Sequence, residues 1–206
     1  MNLQDEKKQA FYSISEMLFK RRMHMRVIAG SAKGRKLKTL EGMDVRPTTD
    51  KVKEAIFSAI QFDLPGAVVL DLFAGSGQMG IEALSRGAAG AVFVDSSSRS
   101  LQMTQENLES VQLADQAQLH QMEAQSFLQT AGMQFDIAIL DPPYHKGILK
   151  QLLPLLSKCM RTDGIVICEH ETGLEMPETV AELVQKKQKK YGAITVTTYV
   201  CRRDEA

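Results

Sequence analysis

The stretch Val68-Val-Leu-Asp-Leu-Phe-Ala-Gly-Ser-Gly-Gln-Met-Gly80 decides the fold of this chain. It opens inside an apolar run over residues 67–72 that only Asp71 interrupts. A run so short and so apolar reads as a strand buried on both faces. Gly75, Gly77 and Gly80 follow at the spacing G-x-G-x-x-G, which lets the backbone approach a ligand closely and begins a helix at that point. The helix is expected to run to Arg86 and to stop at Gly87. Strand, glycine turn and helix form one unit of a sheet that binds its ligands at the carboxyl ends of its strands.

Working outward, strand and helix keep alternating. Strands are expected over 91–94, 117–120 and 135–140, with helices over 98–112 and 124–130. After Asp141-Pro-Pro-Tyr144 comes a helix to about Met160, then a strand over 165–169. The tail, 180–190 and 193–200, reads as an antiparallel closing pair. Upstream, two β-like runs flank Gly30 to Gly34 and resemble a hairpin with a longer turn. A helix over 51–62 follows, with Val52, Ile56, Ala59 and Ile60 on its apolar face and Thr48, Thr49 or Asp50 as its cap. The expected fold is α/β, a parallel sheet covered on both faces and closed by an antiparallel β-hairpin, plus a small N-terminal hairpin and helix. Three segments are expected: an extension over 1–24, a basic hairpin arm over 25–48 and the main domain over 49–206.

The chain has 206 residues, 44% of them hydrophobic, which is enough for a substantial core. No apolar run approaches the roughly 20 residues that cross a bilayer. Nor does an apolar segment of signal-peptide type follow the polar start, so a cytoplasmic protein is expected. Cys159, Cys168 and Cys201 are odd in number and lack C-x-x-C spacing, and His24, His120, His145 and His170 are scattered. Neither disulfides nor a metal site are expected.

The formal net charge is zero, but it is unevenly distributed. Residues 20–53 hold 11 Lys/Arg against 3 Asp/Glu, while residues 54–185 hold 6 against 17. A basic arm on an acidic body suits a polyanionic partner, or else is a solvated face. The cations concerned are Arg26, Lys33, Arg35, Lys36, Lys38 and Arg46.

The glycine spacing alone also suits a nicotinamide dinucleotide. Asp71 shifts the balance, because a carboxylate four residues before the first glycine repels a pyrophosphate. It suits a ligand bearing an ammonium and a sulfonium, which describes S-adenosylmethionine. Asp95, ending the second strand, is placed to accept hydrogen bonds from ribose hydroxyls. The rest of the expected cofactor shell is Phe73, Ala74, Gly75, Ser76, Gly77, Ser96, Glu123 and Ala124.

Asp141, Pro142, Pro143 and Tyr144 form a second constellation at a strand end. The prolines fix the backbone and remove two N–H donors. A rigid turn remains, presenting carbonyls, one carboxylate and one aromatic ring. The Asp141 carboxylate and the Pro142 carbonyl suit the two hydrogens of a base amino group, and Tyr144 suits the face of the base.

Six blocks occur in order: Met25-Arg-Val-Ile-Ala-Gly, Gly34-Arg-Lys-Leu, Arg46-Pro-Thr-Thr-Asp-Lys-Val-Lys-Glu, Leu70-Asp-Leu-Phe-Ala-Gly-Ser-Gly, Glu82-Ala-Leu-Ser-Arg-Gly-Ala and Asp141-Pro-Pro-Tyr. Together they resemble the RsmD family, the 16S rRNA guanine-N2-methyltransferases, over about residues 25–200. The resemblance implies a class I methyltransferase fold of Rossmann-like type. It implies S-adenosyl-L-methionine as cofactor, S-adenosyl-L-homocysteine as product, and a guanine in a partly assembled small subunit as substrate. It also implies that Asp71, Gly75 and Gly77 form the cofactor loop, that Asp95 is the ribose acid and that Asp141 to Tyr144 form the catalytic turn. The chain departs from the family in one place, with Glu123 where members often carry an Asp that contacts the adenine.

The expected reaction is direct methyl transfer by a monomer. Two other classes share parts of the pattern: an adenine-N6 or cytosine-N4 DNA methyltransferase, and a non-enzymatic RNA-binding protein with a relic cofactor fold. Residues 1–24 match no family block and are expected to be dispensable and not native. The competing reading is an amphipathic helix using Phe11, Ile14 and Leu18.

Overall fold

The computed structural model describes residues 25–39, 50–143 and 147–203. The extension over 1–24, the candidate caps Thr48 and Thr49, Arg46 and Tyr144 lie outside these described residues.

Eight strands are formed: β1 (Val68–Asp71), β2 (Gly90–Asp95), β3 (Ala117–Gln121), β4 (Phe135–Leu140), β5 (Met160–Glu171), β6 (Thr179–Val180), β7 (Leu183–Tyr191) and β8 (Ile194–Cys201). The helices are α1 (Asp50–Ala59), α2 (Gln78–Ser85), α3 (Ser98–Val111), α4 (Ala124–Thr130) and α5 (Ile148–Lys158). The strands join one sheet in the order β3-β2-β1-β4-β5-β8-β7-β6. The first five are parallel. The last three are antiparallel to their neighbours, as the closing-pair reading anticipated.

Alternation along the strands divides the core in two. Val69, Ile137, Ile139 and Ile167 face Ile56, Phe57, Ile81, Leu101 and Leu108 of α1, α2 and α3. Leu70, Ala138, Leu140, Val166 and Cys168 face Phe127, Leu152, Leu153 and Leu156 of α4 and α5. Residues buried on both sides explain why the strand sequences are apolar runs rather than alternating ones. His170 is a packing residue, with Nε2 2.8 Å from Thr197 Oγ1. No helix of the described residues is long and apolar enough to cross a membrane.

Two expectations need correction. First, the strand expected over 165–169 spans Met160–Glu171, so the preceding helix ends at Lys158. Met160 pairs with Phe135, and after an irregularity the register resumes at Ile165 opposite Ile137. Second, the helix expected to reach residue 62 ends at Ala59. Ile60 and Leu64 are drawn into the core, and Phe62 is left 90% exposed in the turn between them. The N-terminal hairpin is present: Arg26 bridges Lys36, with Val27 N–H donating to the Arg35 carbonyl at 3.0 Å and Leu37 N–H to the Met25 carbonyl at 2.8 Å. The backbone N–H groups of Ile28 and Ala29 donate to the Glu82 carboxylate, at 2.7 and 3.0 Å.

Candidate active site

Parallel register brings the carboxyl ends of β2, β1, β4 and β5 to one edge of the sheet. Asp71 stands opposite Phe93 and Ile139, and Leu140 stands opposite Cys168. Asp71, Asp95, Asp141 and Glu169 therefore come from four adjacent strands, each about 4.8 Å from the next.

The glycine loop is shaped by what its glycines touch. Gly77 is the N-cap of α2 in a left-handed conformation, φ 78°. A Cβ on Gly77 would meet Thr104 Cγ2 at 2.7 Å, and one on Gly80 would meet the Phe93 ring at 2.3 Å. Gly75 differs: its φ is +55° and nothing lies within 4 Å of a Cβ placed there. The loop is close-packed behind and open in front.

Its N–H donors are largely committed within the protein. Gly75 N–H donates to Asp95 Oδ2 at 2.9 Å, and Gly80 N–H to Asp71 Oδ2 at 2.8 Å. Gly77 N–H donates to the Ala74 carbonyl at 2.7 Å. A pyrophosphate site needs those donors for its oxygens and cannot tolerate two carboxylates among them. An ammonium or a ribose hydroxyl meets the opposite environment, one rich in acceptors.

Asp71 is buried, and burial pushes its carboxyl up to about 7. The Gly80 N–H opposes that shift, while the charge of Asp95 adds to it. Asp95 also receives Ser97 N–H on Oδ1 at 2.8 Å, so both its oxygens help shape the turns around the loop. Phe73 is half-buried, Ala74 is buried, and Ser96 and Glu123 are exposed. Glu123 is the N-cap of α4 without a side-chain capping bond, and Ala124 is buried at the start of that helix.

Asp141 follows β4 directly and is half-buried, with Pro142 buried behind it and Pro143 exposed. Glu169, 2% exposed, stands opposite Val196, on the face that packs against α1, α2 and α3. Sequence reasoning treated Glu169 only as a strand end. It also missed Thr104 and Asn107 of α3. Thr104 Oγ1 donates to the Gly75 carbonyl at 3.0 Å, and Asn107 Nδ2 to the Ser76 carbonyl at 2.8 Å. Their signal was polarity three residues apart on an otherwise apolar helix face, legible only once that face is known to meet the loop.

Comparisons with known proteins agree with this architecture. A family model described as "Conserved hypothetical protein 95" matches residues 25–200. The chain is 44% identical over 180 residues to "Putative rRNA methyltransferase YlbH" of Bacillus subtilis, covering 85% of this chain and 98% of that protein. It is 33% identical over 177 residues to "Ribosomal RNA small subunit methyltransferase D" of Escherichia coli K12, covering 85% and 89%. The solved structure "Putative methyltransferase yhhF from Escherichia coli" superposes with a TM-score of 0.80 at 30% identity, covering 88% of this chain and 99% of that one. The chain belongs to the RsmD family of rRNA methyltransferases.

In this RsmD-family chain the basic arm is docked rather than free. Val27, Ala32 and Leu37 enter the core beside α1, α2 and α3. Lys38 N–H donates to Asn107 Oδ1 at 2.7 Å, and Asn107 Nδ2 donates back to the Lys38 carbonyl at 3.0 Å. Ser76 Oγ lies 3.2 Å from Met25 Sδ. Beneath the arm is a buried ionic cluster that sequence reasoning did not find. Glu82, fully buried, accepts from Arg86 Nε at 2.7 Å and lies 3.8 Å from Lys53 Nζ. Lys53 Nζ donates to the Arg26 carbonyl at 2.6 Å, and burial pushes its pKa down against the pull of Glu82.

Of the arm's expected RNA contacts, Arg26 pairs with Asp50 at 3.1 Å and Lys38 with Glu106 at 2.8 Å. Arg35 donates to the Ser110 carbonyl. Lys33 and Lys36 are exposed.

Proposed function

We propose that this protein methylates the exocyclic N2 of a guanine in 16S rRNA, with S-adenosylmethionine as donor and S-adenosyl-L-homocysteine as product. The observation that carries this reading is the placement of Asp141-Pro142-Pro143 at the end of β4, beside the loop that follows β1. Donor loop and base-holding turn then share one sheet edge.

The residues present fit the cofactor. Asp71 and Asp95 supply acceptors for an amino acid ammonium and for ribose hydroxyls. The open front of Gly75 leaves room that a side chain would fill. Phe73, Ala74, Ser76, Gly77, Ser96, Glu123 and Ala124 complete the shell in this reading. Bound S-adenosylmethionine supplies an electrophilic methyl group on sulfur, so no covalent enzyme intermediate is required.

The chain's own part is to hold the base. The Asp141 carboxylate and the Pro142 carbonyl accept the two amino hydrogens, and Tyr144 stacks on the ring. The guanine N2 lone pair is delocalised into the ring, which makes it a poor nucleophile. Directing its hydrogens to fixed acceptors favours a pyramidal nitrogen whose lone pair points at the donor. Transfer would exchange the donor's S–C bond, whose electron pair stays on sulfur, for a new N–C bond, and Asp141 is placed to take the N–H proton that is lost. The substrate is the rRNA of a partly assembled small subunit, and the enzyme acts as a cytoplasmic monomer.

The test is methyl transfer from radiolabelled S-adenosylmethionine to small subunits from a strain lacking this gene, followed by nucleoside mass spectrometry. N2-methylguanosine is expected, appearing once per particle. A product methylated on adenine or cytosine, or methylation of duplex DNA in preference to the subunit, overturns the guanine reading.

A further inference from the structure

The arm is not the only cationic surface. Residues 186–203 hold six Lys/Arg and no Asp/Glu. Two of the six are tied to the body: Arg202 pairs with Asp163, and Arg203 donates to the Met160 carbonyl at 2.8 Å. The other four, Lys186, Lys187, Lys189 and Lys190, are exposed on β7, and none of them forms an ion pair among the described residues.

Topology fixes where two of these lysines point. β7 is antiparallel to β8, and β8 is antiparallel to β5, so β7 runs in the same direction as the parallel strands. Its lysine-rich second half therefore approaches the edge that carries Asp71, Asp141 and Glu169. Lys187 pairs with Thr198, Lys189 with Val196 and Tyr191 with Ile194. Paired residues project from the same face of a sheet. Val196 and Ile194 are buried, and Val196 belongs to the core that also takes in Val27, Ala32 and Leu37 of the arm. Lys187 and Lys189 thus stand on the arm's side of the sheet. β7 lies three strands from β4, about 14 Å at ordinary strand spacing. The arm lies over the opposite half, on α2 and α3, which cover β1, β2 and β3.

We propose that Lys187 and Lys189 of β7 form a second phosphate-binding track, so that substrate RNA crosses the catalytic edge from the arm to the β7–β8 hairpin. This rests on the rRNA reading of the catalytic site and extends it. A polyanion is the occupant that charge complementarity selects. Lys189 Nζ lies 5.1 Å from the centroid of the Tyr191 ring, a contact that leaves its charge uncompensated by any carboxylate among the described residues. Two such cations on one face match successive phosphates, and the acidic edge between the two basic surfaces repels a backbone except where the target base enters. The competing role for these lysines is protection of a bare strand edge. β6 pairs Thr179 with Val184 and Val180 with Leu183, and Gln185 N–H donates to the Glu178 carbonyl at 2.8 Å; beyond Gln185 no described strand pairs with the outer edge of β7.

The two roles separate experimentally. The double variants Lys187→Glu/Lys189→Glu and Lys186→Glu/Lys190→Glu keep the edge charged, so both protect it equally. Binding of each to a 16S rRNA transcript is measured across salt concentrations. S-adenosyl-L-homocysteine affinity and melting temperature serve as folding controls. The 187/189 variant is expected to bind RNA at least tenfold more weakly at about 0.1 M salt. Its log–log salt slope should be shallower by about 1.4 to 1.8, at 0.7 to 0.9 per lost phosphate contact. The 186/190 variant should change less. Unchanged affinity and slope for the 187/189 variant, with the wild type methylating rRNA normally, overturns the track and leaves the function standing. A wild type that neither binds the transcript nor methylates small subunits defeats the rRNA reading, and the track with it.

Discussion

Raising the pH from 5.5 to 7.0 is expected to tighten S-adenosylmethionine binding through Asp71. Burial holds this carboxyl near 7 in the ligand-free protein, and its Oδ2 already accepts the Gly80 N–H at 2.8 Å. A ligand ammonium beside it favours the ionised form, so binding at acidic pH must expel a proton. With a free-state pKa of about 7, roughly 3% of the protein is ionised at pH 5.5 and half at pH 7.0. Affinity should therefore rise by roughly an order of magnitude, between about 1 and 2 kcal/mol, across an interval that stays below the ligand's own amino group near 8. Calorimetry in two buffers of different ionisation enthalpy reads both the affinity and the released proton. Asp71→Asn keeps an oxygen for the Gly80 N–H but has nothing to titrate, so its affinity should be flat over the same interval. The same shift affects folding. The carboxyl rises from an ordinary 3.8 to about 7, so its stabilisation is complete below pH 4 and is lost as pH climbs to 7. That loss is at most about 4 kcal/mol for a buried group. Equal wild-type affinities at the two pH values, with no proton released, would refute the placement of a cationic ligand at Asp71.

Three further outcomes are expected. Asp141→Ala should abolish turnover while leaving S-adenosyl-L-homocysteine affinity within a few-fold; a large affinity loss with normal single-turnover chemistry would contradict its role at the base. Glu82→Ala strands Lys53 and removes the acceptor for Ile28 and Ala29, and should cost about 3–5 kcal/mol in denaturant unfolding. A loss below about 1 kcal/mol would show that the arm does not depend on this carboxylate. Lys33→Glu/Lys36→Glu should weaken RNA binding and flatten its salt dependence by roughly 0.7 to 0.9 per contact removed, and normal binding at every salt concentration would make the arm a solvated face.

Most of the fold was legible because short apolar runs and glycine stops are local signals. β2, β3 and β4 fell within a residue of the expected bounds, and α4 matched its bounds. The start of β5 was not legible. Arg161-Thr-Asp-Gly164 reads as a turn, and Asp163 has φ 62°, yet these residues continue a strand because Met160 pairs with Phe135. The two strand-end motifs were legible because strand ends are where such a sheet binds ligands. The supports of the arm were not. Nothing local marks Glu82 or Lys53 for burial, since charged residues on short helices usually meet water. Their burial follows from the arm folding over them, a contact between residues far apart in the chain. Glu169 was passed over for a similar reason, since a polar residue ending an apolar strand carries no sign of which neighbours enclose it.

The docked arm changes what the proposed RNA binding would involve. The arm was read as a basic surface suited to a polyanion, or else a solvated face, and three of its cations are engaged on the body. Arg26 and Lys38 make exposed ion pairs with Asp50 and Glu106, with 59% and 63% of the basic side chains in solvent. Such pairs contribute about 0–1 kcal/mol, so exchanging a carboxylate for a phosphate costs little. The backbone beneath them is different. Asn107 holds both the N–H and the carbonyl of Lys38, and the same amide nitrogen donates to the Ser76 carbonyl in the glycine loop. A shift in the arm strong enough to move the Lys38 backbone must strain or break that shared contact. Were RNA to rearrange the arm, part of that free energy would be felt at the glycine loop through Asn107. By linkage, a ligand that fixed the loop would then change RNA affinity by the same factor. Exchange of the surface ion pairs alone would leave the Asn107 connection in place.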